Sequence, residues 1–562
     1  MDDTNSDEVQ RLRNTVAYLT EEIGPRPPGS MAERSASEYL VERFRELGLN
    51  AEVEPFECGS HGAQQSILTH VETGRTYNSL PCQFCALGEI EGRIVFVGDC
   101  DTVLREDADF SDKIGLLIPS GDHVKRMCFL LALEKRGMAG VIVVSPHLDS
   151  IITKLIRYPE VRIPVVAVSF RTAAELKRLE GEKMALVVEG ADTERHESQN
   201  VVATLPGDGT NWLVVSSHYD SAPSCPGASD DASGTAVVIE LARRMKESAR
   251  PASIVLLLTG SEEYGDNDGT ARGALAFYER HVSELGTCIG HVDTDDLGNI
   301  LSIPQLYLSG PKPFRETALD DSLRMKYCIR GRSGWGCDHG AAEKHGIPYV
   351  WFTDLASGNH PQLHTPEDTI DLLDFNLMAG FLDDIQDVVE RLSRLQPVYP
   401  FIEKGGILIR PARDADIPRI LEITKLSFVS VSLDALRQEF FDEPVDGKEW
   451  HVHKNTNLAN YCKEHILWMI VAEIDDEVVG YASYGLNGTT GQGSIGNNAV
   501  HPDHQGKGIG TRLQGEIDRR IKEEGRTKFE VSTLSHDIPA QRMYEKLGYK
   551  KVAETFHYLK KE

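Results

Sequence analysis

The sequence predicts an α/β protein that is divided into several domains. Its 562 residues exceed the roughly 250–300 residues at which a single hydrophobic core stops growing. After Asn200, strand-like and helix-like runs alternate, which is typical of an α/β fold. The charge is uneven as well: residues 401–562 hold 22 basic and 25 acidic side chains, whereas the whole chain holds 59 and 87. This asymmetry indicates two bodies of different character.

The composition excludes several classes of protein. A hydrophobic content of 40% and a charged content of 26% describe a globular chain and exclude wholesale disorder. The net charge of −28 argues against sequence-independent binding to nucleic acid, which needs a basic surface. No apolar run approaches the ~20 residues that cross a bilayer. The first residues lack a signal-peptide pattern and the ten cysteines lack a regular framework, so we expect a cytoplasmic protein without membrane partners.

The predicted elements begin with two helices. Val9, Leu12, Val16 and Leu19 share one face of the first helix, which closes at the segment GPRPPGS. The second helix covers about 32–47. From about residue 60 to 195 the sequence pattern changes to short runs typical of β-strands, with one helix near 123–136. These strands are predicted at 93–97, 115–118, 140–144 and 164–168.

Alternating strands and helices follow as far as residue 395. The strands are predicted at 212–216, 254–259 and 287–292, and the helices near 233–246, 272–285 and 376–395. The last helix is followed by QPVYPFIEKGG, which contains two prolines and a glycine pair. We expect the seam between the two bodies at this segment.

Ionisable residues follow each of these strands. They are His218, Asp220, Asp230, Asp231, Glu262, Glu263, Asp293, Asp295, Asp296 and, later, His364. Because open α/β sheets bind ligands at the carboxyl ends of their strands, these side chains are expected to meet in one crevice. Each motif alone also has a plain structural interpretation; DDASG, for example, can simply cap a helix. Their joint order favours a functional site.

Imidazoles and carboxylates without cysteine suit Zn²⁺ or a similar divalent cation. Two such ions, roughly 3.5–4 Å apart, need a shared ligand, and a carboxylate can bridge them. Another carboxylate must stay uncoordinated to accept a proton, and the adjacent Glu262 and Glu263 could divide these roles. Asp220 could accept the second ring N–H of His218 and so fix its tautomer.

The order HYD, GASDDASG, SEE, DTDDLG and LHTPEDT resembles the co-catalytic two-zinc exopeptidases, which include double-zinc aminopeptidases and glutamate carboxypeptidase. The segments LTEEIGPRPPGSMAERSASEYL and ESQNVVATLPG are also similar to that family, and the resemblance covers roughly residues 8–395. It implies a mixed-sheet core, two zinc ions and a peptide substrate. The implied zinc ligands are His218, Asp230, Glu263, Asp295 and His364. Asp230 would bridge the ions, with Glu262 as general base and Asp220 as the residue that orients His218.

The fourth motif holds three acids. The family pattern matches DDLG with Asp295 as the ligand, which leaves Asp296 in a place that is usually apolar; Asp293 is the second choice. The later stretch GCDHG resembles a Ser-Asp-His stretch of the family, with Cys337 in place of serine, and is expected to line the pocket.

The β-rich stretch lies where this family often inserts a protease-associated domain, and GRIVFVGDCD and IPVVAVS look like its strands. Such an insert would be non-catalytic and could restrict access to the site. We therefore expect a catalytic domain of residues 1–60 and 196–396, an insert of residues 61–195, a linker of residues 397–406 and a second α/β domain of residues 407–562.

In the C-terminal part, a strand predicted to end at Val500 precedes a helix that begins near Ile509. The connecting loop and first turn comprise Gln505, Gly506, Lys507, Gly508, Ile509 and Gly510. Successive backbone N–H groups at a helix N-terminus can bind an anion, and glycine lets a pyrophosphate approach the backbone. A Walker loop is excluded because GK[ST] is absent.

HPDHQGKGIGTRL followed by AQRMYEKLGYKKV resembles the GNAT family of N-acetyltransferases. The resemblance implies a GNAT α/β fold, acetyl-CoA with its pyrophosphate on residues 505–510, an amine acceptor, and Tyr544 as the acid that protonates the leaving thiolate. The chain departs from the family at Asp537, where asparagine is common. SIGNNAV places Asn497 or Asn498 where a glutamate base often lies, so a water or His504 could be the base. A degenerate domain that binds CoA without transfer is the alternative.

We hypothesise a bifunctional enzyme that joins a two-zinc aminopeptidase to an acetyl-CoA-dependent N-acetyltransferase. The same zinc site could instead serve a carboxypeptidase, an amidohydrolase or a cyclase. A non-catalytic, receptor-like protein is a further alternative, which the complete ligand set disfavours.

Overall fold

The chain forms three β-sheets, each with its own helices, in a computed structural model. The structure describes residues 3–58, 63–82, 85–105, 108–121, 123–152, 161–190, 196–263, 271–301, 303–333, 337–354 and 360–560.

Eight strands of the described residues form the first sheet, which is mixed as the resemblance implies. Its strands in spatial order are Ala51–Cys58, His196–Leu205, Ser253–Thr259, Trp212–His218, Cys288–Thr294, Tyr349–Thr353, Gln305–Ser309 and Cys328–Arg330. Four central neighbours, from Ser253–Thr259 to Tyr349–Thr353, run parallel. Their carboxyl ends therefore lie at one edge of the sheet, where a ligand crevice is expected.

Both faces of this sheet are covered by helices. Along its central strand, Leu213 and Val215 enter one hydrophobic cluster and Trp212 and Val214 enter another, because successive side chains point to opposite faces. The α-helices of this region are Asp3–Ala17, Met31–Glu46, Ser233–Met245, Arg272–Arg280, Lys312–Ala318, Asp321–Lys326, Asp338–Lys344 and Phe375–Leu392. Shorter helical turns are Tyr18–Ile23, Ala228–Ala232, Leu285–Thr287 and Ile370–Leu372.

The local signals of the sequence explain most of these boundaries. Ser30 caps the second helix by accepting a hydrogen bond from Glu33 N at 3.0 Å. The helix predicted at 272–285 is shorter and ends at Arg280. The next residue, His281, lies with its Nε2 3.0 Å from a carboxylate oxygen of Glu54 in the first strand of the chain. A contact distant in sequence thus accompanies the early end of this helix.

The second sheet belongs to the chain between two paired strands of the first. Cys58 and His196 are partners in the antiparallel register, so the chain leaves and re-enters the first sheet at one place. In spatial order the strands of the second sheet are Thr76–Tyr77, Ala63–His70, Lys183–Gly190, Gly88–Asp99, Lys113–Ile118, Gly140–Val144, Val165–Val168 and Leu80–Pro81. Helices His123–Glu134 and Phe170–Arg178 accompany it, and its buried side chains form a separate cluster.

The third sheet is formed after residue 400. Its strands in spatial order are Ile402–Glu403, Leu408–Pro411, Met469–Ile474, Glu477–Leu486, Gly493–Val500 and Phe529–Glu530. The helices are Ile417–Ser427, Leu433–Phe441, Trp450–His465, Ile509–Glu523 and Ile538–Lys546, with short turns at Asp414–Asp416, Ile466–Trp468 and Pro502–His504. All the strands except the last pair are antiparallel to their neighbours.

Candidate functional site

The predicted metal ligands meet at the carboxyl edge of the first sheet. His218 is the last residue of its strand, and Glu263 and Asp295 follow the two strands that flank it. Asp230 lies in the helical turn before Ser233–Met245, and His364 lies beyond the strand Tyr349–Thr353. Parallel strands bring these side chains together although up to 146 positions separate them in the sequence.

Asp230 lies between the two histidines. Its Oδ1 is 2.9 Å from His218 Nε2, and its Oδ2 is 3.0 Å from His364 Nε2. Each of these nitrogens also lies near one further carboxylate: Asp295 Oδ1 is 3.5 Å from His218 Nε2, and Glu263 Oε2 is 3.5 Å from His364 Nε2. One carboxylate with an oxygen toward each imidazole is the arrangement that a bridging ligand requires.

These residues fit a pair of divalent cations. Two groups have ligand atoms within 4.8 Å of one another, namely His218 with Asp231 and Asp295, and Asp230 with Glu263 and His364. His218 is buried, and although carboxylate oxygens lie near both ring nitrogens, neither nitrogen makes a hydrogen bond of good geometry to a residue that the structure describes. Buried nitrogens of this kind need a partner, and a nitrogen and oxygen donor set suits zinc.

Asp220 positions the glutamate pair. Its two carboxylate oxygens accept hydrogen bonds from the backbone N–H groups of Glu262 at 3.0 Å and of Glu263 at 3.1 Å. Its Oδ1 also lies 3.6 Å from His218 Nδ1. The sequence predicted only the contact of Asp220 with His218. Its hydrogen bonds to the backbone of Glu262 and Glu263 are seen only in the folded structure.

The remaining acids of the crevice are engaged elsewhere. Asp293 accepts hydrogen bonds from Ser216 Oγ at 2.8 Å and from His339 N at 3.1 Å, and its Oδ2 lies 2.8 Å from His339 Nδ1. Asp231 accepts from Ser217 Oγ at 2.6 Å and from Gly234 N at 2.8 Å, so it caps the following helix. Asp295 is therefore the acid of the fourth motif that lies beside His218.

The enclosure of several carboxylates in one crevice shifts their pKa values. Burial raises the pKa of Asp295 to about 7, and the nearby Asp230 carboxylate adds to this. Burial would also raise the pKa of Asp230, but His218 and His364 hold it well below its ordinary value. Bound cations would relieve the repulsion among these groups.

Sequence reasoning assigned no role to two residues that support the site. Asp368 accepts hydrogen bonds from Ser229 N at 2.9 Å and from Asp230 N at 3.2 Å, and so holds the backbone of the predicted bridge. Arg26 is fully buried and donates to the carbonyls of Tyr219 at 2.7 Å and Pro226 at 2.7 Å. Both lie inside motifs that the sequence displays, LHTPEDT and GPRPPGS, and the presence of charged residues in these motifs was the available signal.

The predicted pocket stretch 336–340 is described from Cys337 onward, whereas Gly336 lies outside the described residues. Burial raises the pKa of the Cys337 thiol, and the nearby Asp295 and Glu262 carboxylates raise it further. Asp338 accepts a hydrogen bond from Thr259 Oγ1 at 2.8 Å. This stretch therefore lies beside Asp295 and Glu262 of the crevice.

The glycine-rich loop of the third sheet connects a strand end to the N-terminus of a helix. Val500 ends its strand, and the helix Ile509–Glu523 begins directly after Gly508. Gly506 and Gly508 have φ angles of 77° and 80°, a conformation that glycine adopts without strain. Gln505 Nε2 donates to Val500 O at 3.1 Å and ties the loop to the strand end. Lys507 and the two glycines are exposed, so the loop is open to a ligand.

Tyr544 lies beside the strand that precedes this loop. Its hydroxyl accepts a hydrogen bond from Asn498 Nδ2 at 2.9 Å, and burial raises the pKa of the phenol. Asp537 caps the helix of Tyr544 by accepting from Ala540 N at 3.2 Å. The strand pairs with Phe529–Glu530 only through Gly493 and Ser494, so among the described residues its later part has no strand partner on that side. His504 lies in the turn Pro502–His504.

Comparison with known proteins supports both domains. Residues 200–389 match the model of peptidase family M28, and residues 432–549 match that of the acetyltransferase (GNAT) family. The chain joins an M28 peptidase domain to a GNAT domain. The M28 part is of the zinc aminopeptidase type, and the two families imply Zn²⁺ and acetyl-CoA as cofactors.

Relatives of the M28 domain have the same character. Aminopeptidase YwaD of Bacillus subtilis is 26% identical over 390 residues, which are 64% of this chain and 79% of that protein. A probable leucine aminopeptidase of Arthroderma otae is 26% identical over 220 residues; these span 34% of this chain and little more than half, 57%, of that relative. The solved structure of a zinc aminopeptidase from Bacillus subtilis covers 68% of this chain with a TM-score of 0.56 at 21% identity, and 94% of its own chain is matched. That likeness confirms the mixed α/β fold predicted for the exopeptidase part.

Among the residues that the structure describes, no helix combines the length and the apolar character needed to cross a bilayer.

Proposed function

We propose that this chain is a bifunctional enzyme, a two-metal aminopeptidase fused to an acetyl-CoA-dependent N-acetyltransferase. The observation that carries the first activity is the position of Asp230, with one carboxylate oxygen about 3 Å from each of two histidines. His218 and Asp295 would complete one site, and Glu263 and His364 the other. The aminopeptidase relatives support removal of residues from the N-terminus of peptides.

The side chains divide the work of hydrolysis. Two bound zinc ions would polarise the scissile carbonyl and lower the pKa of the attacking water. Glu262 would accept a proton from that water as its oxygen attacks the carbonyl carbon, and would return the proton to the leaving amine as the C–N bond breaks. Asp220 supports this role because it holds the backbone of Glu262 and Glu263.

Glu262→Gln tests the peptidase proposal. An amide cannot accept the proton, so hydrolysis of an aminoacyl-p-nitroanilide is expected to fall by about 100-fold or more. The metal content measured by mass spectrometry should stay at that of the wild type, because the five proposed ligands are unchanged. Glu247→Gln, on an exposed side chain, is the control. Retained turnover in the Glu262→Gln variant would contradict the assignment.

A substrate panel separates the related reactions. Aminopeptidase activity is measured with aminoacyl-p-nitroanilides. Carboxypeptidase activity is measured as release of the C-terminal residue from peptides, and amidohydrolase activity as hydrolysis of N-acyl amino acids. We expect hydrolysis of the first group. Turnover confined to another group would keep the metal site and reassign the reaction.

For the GNAT domain we propose that residues 505–510 bind the pyrophosphate of acetyl-CoA and that the pantetheine lies beside the strand that ends at Val500. The incomplete pairing of that strand with Phe529–Glu530 supports this placement. Tyr544 would protonate the thiolate of CoA as the acetyl group passes to an amine. Titration calorimetry with CoA tests the binding, and release of free thiol with a panel of primary amines tests the transfer. Absence of CoA binding would contradict the proposal.

We also propose that residues 61–195 form a protease-associated insert that limits access to the metal site. Ser150 in this region donates a hydrogen bond to Glu367, three residues after His364. This contact supports a position of the insert beside the substrate entrance. Cleavage of long but not short peptides should rise when Ser150 is changed to alanine.

A further inference from the structure

A second group of metal-type side chains lies next to the centre around Asp230. Asp296 follows the strand Cys288–Thr294, and Asp354 follows the neighbouring parallel strand Tyr349–Thr353. His360 lies in the segment that leads to His364. One ligand atom of each of Asp296, Asp354 and His360 lies within 4.8 Å of the others. The loops are also joined directly, since Asp354 N donates to Asp296 O at 3.0 Å.

Two atoms of this group are buried without a hydrogen-bond partner. Asp296 is 2% exposed and its Oδ1 makes no hydrogen bond to a residue that the structure describes. The side chain of His360 is 4% exposed, and its Nε2 likewise has no described partner. Leaving such atoms unsatisfied costs about 1–3 kcal/mol each, and more for a charged group, and a ligand bound between them would satisfy both.

The other atoms of the group are held in place. His360 Nδ1 lies 2.8 Å from Asp296 Oδ2, and Asp354 Oδ2 accepts a hydrogen bond from Asn299 N at 2.7 Å. The three side chains thus come from separate loops and yet are fixed relative to one another. Prearranged ligands of this kind are characteristic of a built metal site, where the contacts around the ligands orient them.

We propose that Asp296, Asp354 and His360 bind a third divalent cation, separate from the pair around Asp230. Two carboxylates and one imidazole are a donor set for Zn²⁺ or Mn²⁺. A small cation fits better than an ammonium group of a substrate because both aspartates are buried, Asp354 fully and Asp296 to 98%.

The position of this site gives it a structural role. Asp295 faces the first pair while its neighbour Asp296 faces the third site, and His364 and His360 are divided in the same way. A cation at the third site would therefore fix both loops that carry ligands of the pair. This positioning role, unlike the binding itself, rests on the proposed two-metal peptidase.

Zinc content measured on the full chain tests the proposal. The protein is stripped with a chelator, saturated with Zn²⁺ and desalted before mass spectrometry. We expect three zinc ions per wild-type chain and two in His360→Gln and in Asp354→Asn, with folding checked by circular dichroism. His70→Gln is the matched control, because His70 lies within reach of Glu72 and Glu182 in another group of possible ligands. That variant should keep all three ions.

Two zinc ions in the wild type would overturn the proposal, whatever the variants do. Loss of the third ion in His70→Gln, or its retention in a folded His360→Gln variant, would also overturn it. Peptidase activity is recorded separately. Three ions without hydrolysis would reject the proposed function and leave the third site standing, and two ions with hydrolysis would do the reverse.

Discussion

At the scale of single residues, the chemistry of the M28 domain depends on which of many neighbouring acids face the histidines. Asp230, Asp295 and Glu263 do so, whereas Asp231 and Asp293 are engaged by hydrogen bonds from Ser217 and Ser216. The carboxylates that accept hydrogen bonds from serine hydroxyls of the strand Trp212–His218 are therefore not the ones that we propose as metal ligands.

Asp220→Asn tests the support given to the glutamate pair. The amide has one acceptor oxygen, so it cannot accept from Glu262 N and Glu263 N in the way that the two carboxylate oxygens do. Zinc affinity, measured by competition with a chelating dye, is expected to fall about 10–100-fold. Asp208→Asn, on an exposed side chain, should leave it unchanged. Equal affinity in both variants would show that Asp220 does not position the ligands.

Tyr544→Phe tests acid catalysis in the GNAT domain. Burial raises the pKa of Tyr544, so its hydroxyl stays protonated at neutral and mildly basic pH and can donate a proton. Without it, the kcat of acetyl transfer to the best amine of the panel is expected to fall about 100-fold, with the Kd for CoA unchanged. Tyr549→Phe removes a hydroxyl that donates to Asp518 at 2.8 Å and serves as the control. A similar kcat for both variants would reject the role of Tyr544.

At the scale of elements, loops bring the ligands together and other segments hold these loops in place. The segment GPRPPGS contributes Arg26, whose guanidinium reaches the chain between His218 and Asp230, the first two proposed ligands. It donates to the carbonyls of Leu19, Gly24, Tyr219, Pro226 and Gly227. The N-terminal helices are thereby joined to the loop before Asp230.

Arg26→Ala tests this junction. The change leaves several buried carbonyls without donors, so the free energy of unfolding is expected to fall by about 3 kcal/mol, or roughly 6–12 °C in the melting temperature of the M28 domain. Differential scanning calorimetry measures it. Arg34→Ala, on an exposed side chain of the next helix, should shift the melting temperature by less than about 2 °C. Equal shifts in the two variants would mean that Arg26 is dispensable.

At the scale of the whole molecule, the segment predicted as a linker is packed. Tyr399 is 5% exposed, with Arg520 3.9 Å above its ring and the hydroxyl of Tyr484 3.2 Å from its own. Ile402–Glu403 pairs with the strand Leu408–Pro411. Another contact crosses the seam where Glu524 accepts hydrogen bonds from Arg315 at 2.8 Å and Lys312 N at 2.7 Å. The two domains therefore share an interface.

Tyr399→Ala tests this interface. Truncation of a large buried side chain should cost about 3–5 kcal/mol and lower the melting temperature of the GNAT domain by several degrees. Trypsin should also cut faster after Lys404, which is exposed in the same segment. Tyr558→Ala is the control, since that ring is 89% exposed. Unchanged melting and proteolysis in Tyr399→Ala would mean that the packing contributes little.

Much of this organisation could be predicted from local patterns. Apolar residues at helical spacing predicted the first two helices, and short apolar runs predicted the strands Gly140–Val144 and Ser253–Thr259 to within one residue. The proposed metal ligands could be predicted because each follows a strand of a parallel sheet, whose carboxyl ends must converge. The end of the helix at Arg280 and the packing of Tyr399 could not be predicted from local patterns, because both depend on contacts with residues distant in the sequence.

The sequence by itself determined the two families, the order of the domains and the residue types that meet in the crevice. These follow from motifs of a few residues and from the periodicity of buried side chains. Only the tertiary structure decided which acid of DTDDLG lies beside His218, and that Asp220, Asp368 and Arg26 hold the surrounding backbone. It also brought Asp296 to Asp354 and His360. The physical reason is that a side chain's role depends on which donors and charges the fold brings within about 3 Å of it.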